Sequence, residues 1–413
     1  MAQEKILIIA VKTPDQHQTE FESTVEELVS LGKTAGGFVE KVVTQNLSRI
    51  HPATYMGRGK LNEIKHEIEA LEIDLVIAND ELSQSQLRNI SDILNVRIID
   101  RSQLILDIFA MRAKTKEGKL QVELAQLEYL LPRLQGQGVE LSRLGGGIGT
   151  RGPGETKLET DRRHIRQRIT DIKRRLVQVV KQRDQYRKRR KAKDAFQIAL
   201  IGYTNAGKST IFNRLTNSNT LEEDKLFATL DPLTRKLQLP SGLEVIVTDT
   251  VGFLQKLPTS LIAAFRSTLE EVSDADFLLH VVDASHPDHE QHQDTVLKLL
   301  EELHADTIPS LTVYNKKDLM GNDFFPMQHP HILISAFDQQ DIDNVVMEIE
   351  HCLKEQWQPY SVLLDASKEK CMLRLRRETI VEKNTFDPEE NKYVISGYIR
   401  ENHPLSNMVR EGE

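Results

Sequence analysis

Eight consecutive residues, from Gly202 to Ser209, have the residue types and the spacing that hold the phosphates of a nucleotide. They read Gly-Tyr-Thr-Asn-Ala-Gly-Lys-Ser, a complete G-x-x-x-x-G-K-S pattern. The glycines let backbone N–H groups surround phosphates, Lys208 can reach the β- and γ-phosphates, and the Ser209 hydroxyl can bind Mg²⁺. The apolar run 196–201 before the pattern and the helix-compatible run 209–215 after it supply the strand–loop–helix context that the pattern requires. We therefore predict a nucleoside triphosphate site here, rather than a glycine-rich turn that binds no nucleotide.

Three shorter motifs follow, each after a strand-like run. Asp249-Thr250-Val251-Gly252 offers a carboxylate that can hold Mg²⁺ through water and a glycine N–H for the γ-phosphate. In Asn315-Lys316-Lys317-Asp318, the last carboxylate can accept from both N–H groups of a guanine edge, where adenine presents an acceptor. Ser335-Ala336 is placed to cap the base site. Each of these three motifs alone is weak evidence. Together with the 202–209 loop they make four motifs in this order, each at a strand end, where sheets of this kind bind ligands. The combination predicts that the nucleotide is GTP.

The predicted GTP contacts also include the segment 227–231. Within it, Thr229 is the candidate that closes on Mg²⁺ and the γ-phosphate, and Thr234 is the competing candidate. The predicted catalytic residues are Lys208, Thr229 and Gly252, and the predicted Mg²⁺ ligands are Ser209 and Thr229, with Asp249 binding through water. The full set of predicted GTP contacts is Gly202, Tyr203, Thr204, Asn205, Ala206, Gly207, Lys208, Ser209, Thr210, Phe227, Ala228, Thr229, Leu230, Asp231, Asp249, Thr250, Val251, Gly252, Asn315, Lys316, Lys317, Asp318, Ser335, Ala336 and Phe337.

Two residues of the site bear on mechanism. Phe253 follows Gly252, where many GTPases place a glutamine that orients the attacking water. Because phenylalanine cannot hydrogen-bond to water, we predict slow basal hydrolysis that a partner stimulates. Asn205 matches the position at which a related group of GTPases binds K⁺, although local turn geometry is an equally good reason for an asparagine.

The elements that position these residues belong to a chain of 413 residues, long enough for two to four domains. The two cysteines, Cys352 and Cys371, form no C-x-x-C motif, which argues against a structural zinc site or a disulfide framework and suits a reducing cytoplasm. The apolar stretch 6–11 is too short for a signal peptide, and no segment approaches the roughly 20 apolar residues of a membrane span. We expect a cytoplasmic, monomeric protein.

A basic segment stands out against an overall charge of −8. Residues 161–194 contain 15 lysines and arginines but only four aspartates, which makes the segment a candidate contact for a polyanion. Apolar residues repeat there at steps of four and three, as they do in an upstream stretch; these residues are Ile165, Ile169, Ile172, Leu176 and Val179, and Leu120, Leu124, Leu127, Leu131 and Leu134. The two stripes predict an antiparallel helical hairpin, whose first helix Pro132 limits. A solvated basic face is the alternative to RNA contact.

The connection between the two helices favours RNA. Residues 136–154 contain eight glycines in nineteen positions. Glycine lets a backbone approach another surface closely, and arginine binds phosphates or stacks on bases. A merely flexible loop is the alternative. The predicted RNA contacts are Arg143, Gly145, Gly146, Gly147, Arg151, Arg162, Arg163, Arg166, Arg174 and Arg175.

The flanking regions carry less chemistry. Residues 1–105 alternate strand-like runs (6–11, 39–44, 75–77, 96–99) with helix-like runs (21–31, 60–71, 83–94), which predicts a small α/β domain on a mostly parallel sheet. ATP binding by this domain stays open, although no residue there demands it. Residues 358–413 read as a separate α+β unit with strands at 362–364 and 393–399, a helix at 368–377 and a turn at 384–391.

Taken together, residues 1–357 resemble the HflX family of ribosome-associated GTPases, with a G domain similar to the TrmE-Era-Obg group. The residues that carry the resemblance are the four nucleotide motifs, the segment 227–231, Phe253 and, most specifically, the glycine-rich tip 145–154 with Glu155-Thr156. The resemblance implies an N-terminal α/β domain (1–105), a helical hairpin (106–194, with its tip loop at 136–156), a G domain (195–357) and a C-terminal unit (358–413) that is not universal in the family.

The resemblance also implies a function. Members of the family bind the large ribosomal subunit and its ribosomal RNA, with the hairpin loop reaching towards the peptidyl-transferase region. They split stalled or idle ribosomes under stress, and GTP hydrolysis, which yields GDP and phosphate, permits release. A GTP-gated factor for another structured RNA, and an adaptor that binds nucleotide with little turnover, are the alternatives.

Overall fold

The contacts of the chain divide it into two compact units. The structure, a computed structural model, describes residues 3–134, 153–191, 195–217, 226–227, 232–255, 271–321, 324–388, 391–401 and 403–406. The first unit contains Met1–Val180 together with two short segments from later in the chain, Lys225–Leu230 and Gln255–Arg266. The second unit contains the remainder, Lys181–Asp224, Asp231–Leu254 and Ser267–Glu413. None of the helices in the described ranges is long and apolar enough to span a bilayer.

A four-stranded parallel sheet lies at the centre of the first unit, as the alternating pattern predicts. Its order is β2-β1-β3-β4. The strands are β1 (Lys5–Lys12), β2 (Phe38–Asn46), β3 (Leu75–Ala78) and β4 (Arg97–Asp100), and the helices between them are α1 (Gln18–Thr34), α2 (Arg58–Leu71) and α3 (Gln84–Leu94). Successive side chains of β1 point to opposite faces: Leu7 and Ile9 pack in the cluster that contains α2 and α3 residues, whereas Ala10 packs with Phe21 and Val25 of α1.

Three further helices follow β4, and the last of them begins in the first unit and continues past Val180, where the main segment of that unit ends. They are α4 (Arg101–Arg112), α5 (Lys116–Arg133) and α6 (Pro153–Lys191). Asp100, at the end of β4, caps α4 and accepts a hydrogen bond from the Tyr129 hydroxyl of α5 at 2.8 Å. Side chains of α5 and α6 form two ion pairs, Glu123–Arg168 at 2.6 Å and Glu128–Lys173 at 2.8 Å. These pairs show that the two helices predicted to form a hairpin lie side by side.

Two predicted boundaries in this region can be compared with the structure. α5 ends at Arg133, directly after Pro132, which removes a backbone donor as predicted. α6 begins at Pro153, so residues 153–156 are helical rather than part of the predicted tip loop. Proline at a first helical position loses no hydrogen bond, which explains this start. The rest of the tip, residues 136–152, lies outside the described residues.

A six-stranded sheet forms the larger part of the second unit. Its order is β10-β9-β8-β5-β7-β6, and only β6 runs antiparallel to its neighbour. The elements are β5 (Phe196–Gly202), α7 (Lys208–Thr216), β6 (Leu233–Gln238), β7 (Glu244–Asp249), β8 (Phe277–Asp283), α8 (His289–Glu302), β9 (Ser310–Asn315), β10 (His331–Leu333) and α9 (Gln339–Gln356). The four nucleotide motifs therefore follow β5, β7, β9 and β10, all at the carboxyl ends of parallel strands, where ligands bind in sheets of this kind.

The C-terminal residues form a separate three-stranded antiparallel sheet in the order β11-β13-β12. Its elements are β11 (Gln358–Asp365), α10 (Glu369–Glu378), β12 (Ile380–Asp387) and β13 (Lys392–Ile399). The predicted turn at 384–391 was wrong in its first half, because 384–387 continue β12 and pair with β13. Most of this edge strand is exposed, so its polar sequence lacks the apolar alternation that marks a strand.

Candidate functional site

Two glycines of the 202–209 loop are required by what surrounds them. Gly202 has φ +146° and Gly207 has φ +95°, conformations that side chains rarely adopt. A Cβ atom at Gly202 would lie 2.1 Å from the Val281 carbonyl oxygen, and one at Gly207 would lie 2.1 Å from Asn315 Nδ2. The loop is thus closely packed between β8 and the end of β9. Asn205 is exposed and has φ 60°, a left-handed conformation that asparagine tolerates, which agrees with turn geometry as a reason for this residue type.

The buried Lys208 side chain contacts the backbone of its own loop. Its Nζ donates to the carbonyl oxygens of Gly202 at 3.0 Å and Tyr203 at 2.7 Å, and the side chain is buried. Burial lowers the pKa of Lys208 to about 8, although the nearby Asp249 carboxylate acts in the opposite direction. The ammonium is therefore aimed at the phosphate loop and poorly solvated, so that an anionic ligand is its natural partner.

Two of the predicted Mg²⁺ residues meet where α7 begins and β7 ends. The Ser209 hydroxyl donates to Asp249 Oδ2 at 2.8 Å, and Asp249 is fully buried. A hydroxyl and a carboxylate are the hard oxygen donors that Mg²⁺ prefers, so the pair fits that ion. Thr234 lies within β6, where its hydroxyl is 3.3 Å from that of Thr248. Its place in a paired strand disfavours it as the residue that closes on the γ-phosphate, while Thr229 lies outside the described residues.

The segment after Asp249 is joined to the phosphate loop by its backbone. Thr204 N donates to the Phe253 carbonyl at 2.8 Å, and Phe253 N donates to the Gly202 carbonyl at 3.2 Å. A Cβ atom at Gly252 would lie 2.8 Å from Thr204 Cα and 2.9 Å from Lys208 Nζ, so only glycine fits between them. The Phe253 side chain is itself buried. Gly252 is therefore brought against Lys208, as both motifs predict for a γ-phosphate site.

Asn315 connects three of the motifs. Its Nδ2 donates to the Ala206 carbonyl at 2.9 Å, and its Oδ1 accepts from Ala336 N at 3.0 Å. One buried amide thus fixes the phosphate loop, the end of β9 and the loop after β10 relative to each other. Asp318 follows in a short 3₁₀ turn and is exposed, which leaves its carboxylate accessible to a base.

Comparison with known proteins agrees with this geometry. Three family models match the chain: GTP-binding GTPase N-terminal at 22–110, GTP-binding GTPase Middle Region at 112–190, and 50S ribosome-binding GTPase at 197–316. A GTPase HflX of Alkalihalophilus pseudofirmus is 53% identical over 409 residues, which cover 99% of this chain and 96% of that protein. A GTPase HflX of Escherichia coli K12 is 47% identical over 302 residues, which cover 73% and 71%.

The chain belongs to the HflX family of GTPases. The predicted resemblance, the fold class and the assignment as a GTP-hydrolysing enzyme are thereby confirmed. Among solved structures, the chain is also similar to a GTP-binding protein from Sulfolobus solfataricus in complex with GDP. That similarity has 22% identity, covers 85% of this chain and 98% of the other, and has a TM-score of 0.45.

Sequence reasoning missed several residues of this HflX G domain. Asp341, in the first turn of α9, accepts from Ser335 N at 2.7 Å and forms an ion pair with Lys317. Asp283, at the end of β8, forms an ion pair with Lys316 at 2.7 Å. Both carboxylates hold predicted base-site residues, but neither lies in a motif, and both ion pairs join residues distant in sequence.

A second missed feature is aromatic. The ring of His292, on α8, stacks on Tyr203 with centroids 3.8 Å apart and an interplanar angle of 7°. Burial, reinforced by His286, lowers the pKa of His292 to about 3, so the stacked ring is neutral at physiological pH. A neutral imidazole supports the start of the phosphate loop without adding charge to it, and nothing in the local sequence signals this pairing.

Half of the predicted RNA contacts lie on α6, and the other half lie outside the described residues. Arg143, Gly145, Gly146, Gly147 and Arg151 lie outside the described residues, as do the predicted GTP contacts Ala228, Leu230 and Asp231. Arg163, Arg166, Arg174 and Arg175 are exposed on α6, and Arg162 is half-buried. Arg174 forms an exposed ion pair with Asp171 at 3.1 Å. Because most of these guanidinium groups face solvent, α6 offers a cationic surface.

Proposed function

We propose that this GTPase binds the large ribosomal subunit and splits stalled or idle ribosomes. The match of residues 197–316 to a model described as 50S ribosome-binding GTPase carries the proposal. The exposed arginines of α6 support it, since cationic side chains supply much of the affinity of proteins for nucleic acid. In this proposal the tip 136–152, with the first turn of α6 at 153–156, inserts into the ribosomal RNA, and the protein acts as a cytoplasmic monomer.

The nucleotide contacts are proposed from the geometry of the loop. Backbone N–H groups of 202–209 would hold the phosphates, and Lys208 would bind the β- and γ-phosphates. Ser209 would bind Mg²⁺ directly and Asp249 would bind it through water, which their 2.8 Å contact supports. Gly252 donates its N–H to the γ-phosphate, and Thr229 completes the Mg²⁺ site. Asp318 reads the guanine edge. A bound Mg²⁺ neutralises charge that develops on the phosphates.

In this proposal the ribosome completes the catalytic site, because Phe253 cannot position the attacking water. Its side chain is buried and carries no hydrogen-bonding group, so it does not orient a water molecule. The ribosome supplies the missing group and stimulates hydrolysis, which in this chemistry is worth on the order of 10³–10⁵ in rate. K⁺ bound near Asn205 is a second proposed activator, and hydrolysis measured in K⁺ and in Na⁺ tests it.

The first experiment measures GTP hydrolysis with and without purified large ribosomal subunits, at fixed Mg²⁺ and K⁺. A large stimulation supports the ribosome as activator. Sedimentation of intact ribosomes incubated with the protein and a non-hydrolysable GTP analogue then tests splitting directly. Normal GTP binding without stimulation contradicts the proposal, and stimulation by transfer RNA instead would favour another structured RNA as the partner.

We also propose that the chain consists of four domains. The divisions 1–105, 106–194, 195–357 and 358–413 are kept as proposed domains. The sheet and helix of the last region share an apolar cluster, in which Tyr360, Leu375 and Ile395 are buried. A C-terminal truncation after Trp357, compared with the full chain for ribosome binding, tests whether this sheet takes part.

A further inference from the structure

We call the segment 227–231 and the motif 249–252 the phosphate-sensing motifs, and residues within or beside each of them belong to the first unit. Leu226 and Phe227 precede the candidate Thr229 by two or three positions, and Gln255 follows Gly252 by three. All three are buried among residues of α1 and α4. Each of the two motifs is therefore continuous in sequence with residues that are buried in the core of the first unit.

The first anchor holds residues 226–227. Leu226 N donates to Thr34 Oγ1 at 3.3 Å, at the end of α1. The Phe227 ring packs edge-on against Phe109 of α4, with centroids 4.5 Å apart. Phe227 has φ 57°, which a phenylalanine adopts only when its surroundings enforce it. Its side chain is 2% exposed, so burial of the ring stabilises this backbone conformation.

The second anchor holds Gln255 through a buried ion pair. Arg101 of α4 pairs with Glu27 of α1, and their side chains are 3% and 7% exposed. The same guanidinium donates to the Gln255 carbonyl at 3.2 Å. The Gln255 side chain donates to Ser23 Oγ at 3.3 Å. The ion pair is thus satisfied partly by a backbone atom that lies three residues from Gly252.

We propose that the surface formed by α1 and α4 binds the two phosphate-sensing segments of its own chain and so couples nucleotide state to the first unit. Segments that move on exchange of GTP for GDP must change or break these contacts, because buried interfaces switch between discrete packings. By thermodynamic linkage, whatever binds the first unit and alters α1 or α4 must change the relative affinity for GTP and GDP. The proposal rests on the GTPase assignment and is independent of ribosome binding.

Amide hydrogen exchange of the full chain, loaded with GDP or with a non-hydrolysable GTP analogue, tests the coupling. We expect peptides from α1 and α4 to exchange at rates that differ by about fivefold or more between the two nucleotides, the lower range of allosteric coupling. The double variant Ser23→Ala, Thr34→Val removes one hydrogen bond to each anchored segment with little change in volume. In that variant the difference between nucleotides should shrink, and the ratio of GTP to GDP affinity should change.

The matched control is Ser91→Ala, Thr170→Val. Ser91 donates to the Val96 carbonyl at 3.4 Å, and Thr170 donates to the Arg166 carbonyl at 2.9 Å, as Thr34 does to Ser30 within its own helix. This control should keep the nucleotide difference of the unmodified chain. The coupling is overturned if α1 and α4 exchange equally with both nucleotides, or if the Ser23, Thr34 variant keeps both the full difference and the original affinity ratio.

Discussion

At the scale of single residues, neighbouring atoms and not the backbone conformation restrict position 252 to glycine. Its φ is not in the left-handed region, yet a Cβ atom there would come within 3 Å of both Thr204 and Lys208. Glycine is required because two motifs meet at this point. The D-x-x-G pattern gives the residue type, but only the packing of β7 against β5 explains it.

Replacing Gly252 with alanine should lower single-turnover GTP hydrolysis by about 100-fold, since displacements of about 1 Å at a reacting centre have effects of that order. The added methyl group must displace Lys208 Nζ or the Thr204 backbone. Gly321→Ala is the control, because no atom lies within 4 Å of a Cβ at that position. Equal rates for the two variants would show that the contact at Gly252 relaxes without moving Lys208.

The two cysteines should differ in reactivity. Burial raises the pKa of the Cys352 thiol to about 11, and its side chain is 2% exposed, whereas Cys371 is partly exposed. Because the thiolate is the nucleophile, Cys352 stays protonated and unreactive at pH 8. Iodoacetamide should label Cys371 at least about tenfold faster in the native protein. Peptide mass analysis measures this ratio, and labelling in denaturant, where both cysteines should react, is its control.

At the scale of elements, α9 positions the base site through one carboxylate. Asp341 orders Ser335 and Lys317 together, so Asp341→Ala should raise the Kd for GDP about tenfold by releasing a buried backbone donor and a charged partner. Hydrolysis at saturating GTP should change little, because the phosphate loop is untouched. Asp343→Ala is the control on the same helix, since among the described residues Asp343 accepts an exposed hydrogen bond from Gln339 and no buried one. Unchanged affinity in Asp341→Ala would assign the carboxylate a role in stability alone.

Elements with apolar runs could be read from the sequence, and elements held by other forces could not. β1 and β5 are buried on both faces, so their sequences are nearly continuous apolar runs. β12 is exposed along most of its length and was assigned in part to a turn. The motifs located the nucleotide loops, but the residues that hold those loops, among them Asp341 and His292, form contacts that no local pattern records.

At the scale of the whole molecule, charge is separated along the chain rather than balanced locally. An overall −8 opposes non-specific attraction to RNA, so the proposed RNA binding should depend on the cationic face of α6. Changing Arg163, Arg166, Arg174 and Arg175 to glutamine should therefore weaken binding to large ribosomal subunits and flatten its salt dependence. The slope of log K against log salt should fall by about 0.7–0.9 for each phosphate that a side chain no longer neutralises.

A control of equal charge separates direct phosphate binding from net charge. Lys41, Lys65, Arg88 and Arg97, on the first sheet and its helices, can be changed to glutamine in the same way. Because both variants become more negative by the same amount, long-range repulsion of RNA rises equally in the two, whereas only the α6 variant has fewer cations to place against the phosphates. Filter binding across a series of salt concentrations distinguishes them. Equal slopes for the two variants would mean that α6 is a solvated basic face and that the ribosome is held by other residues.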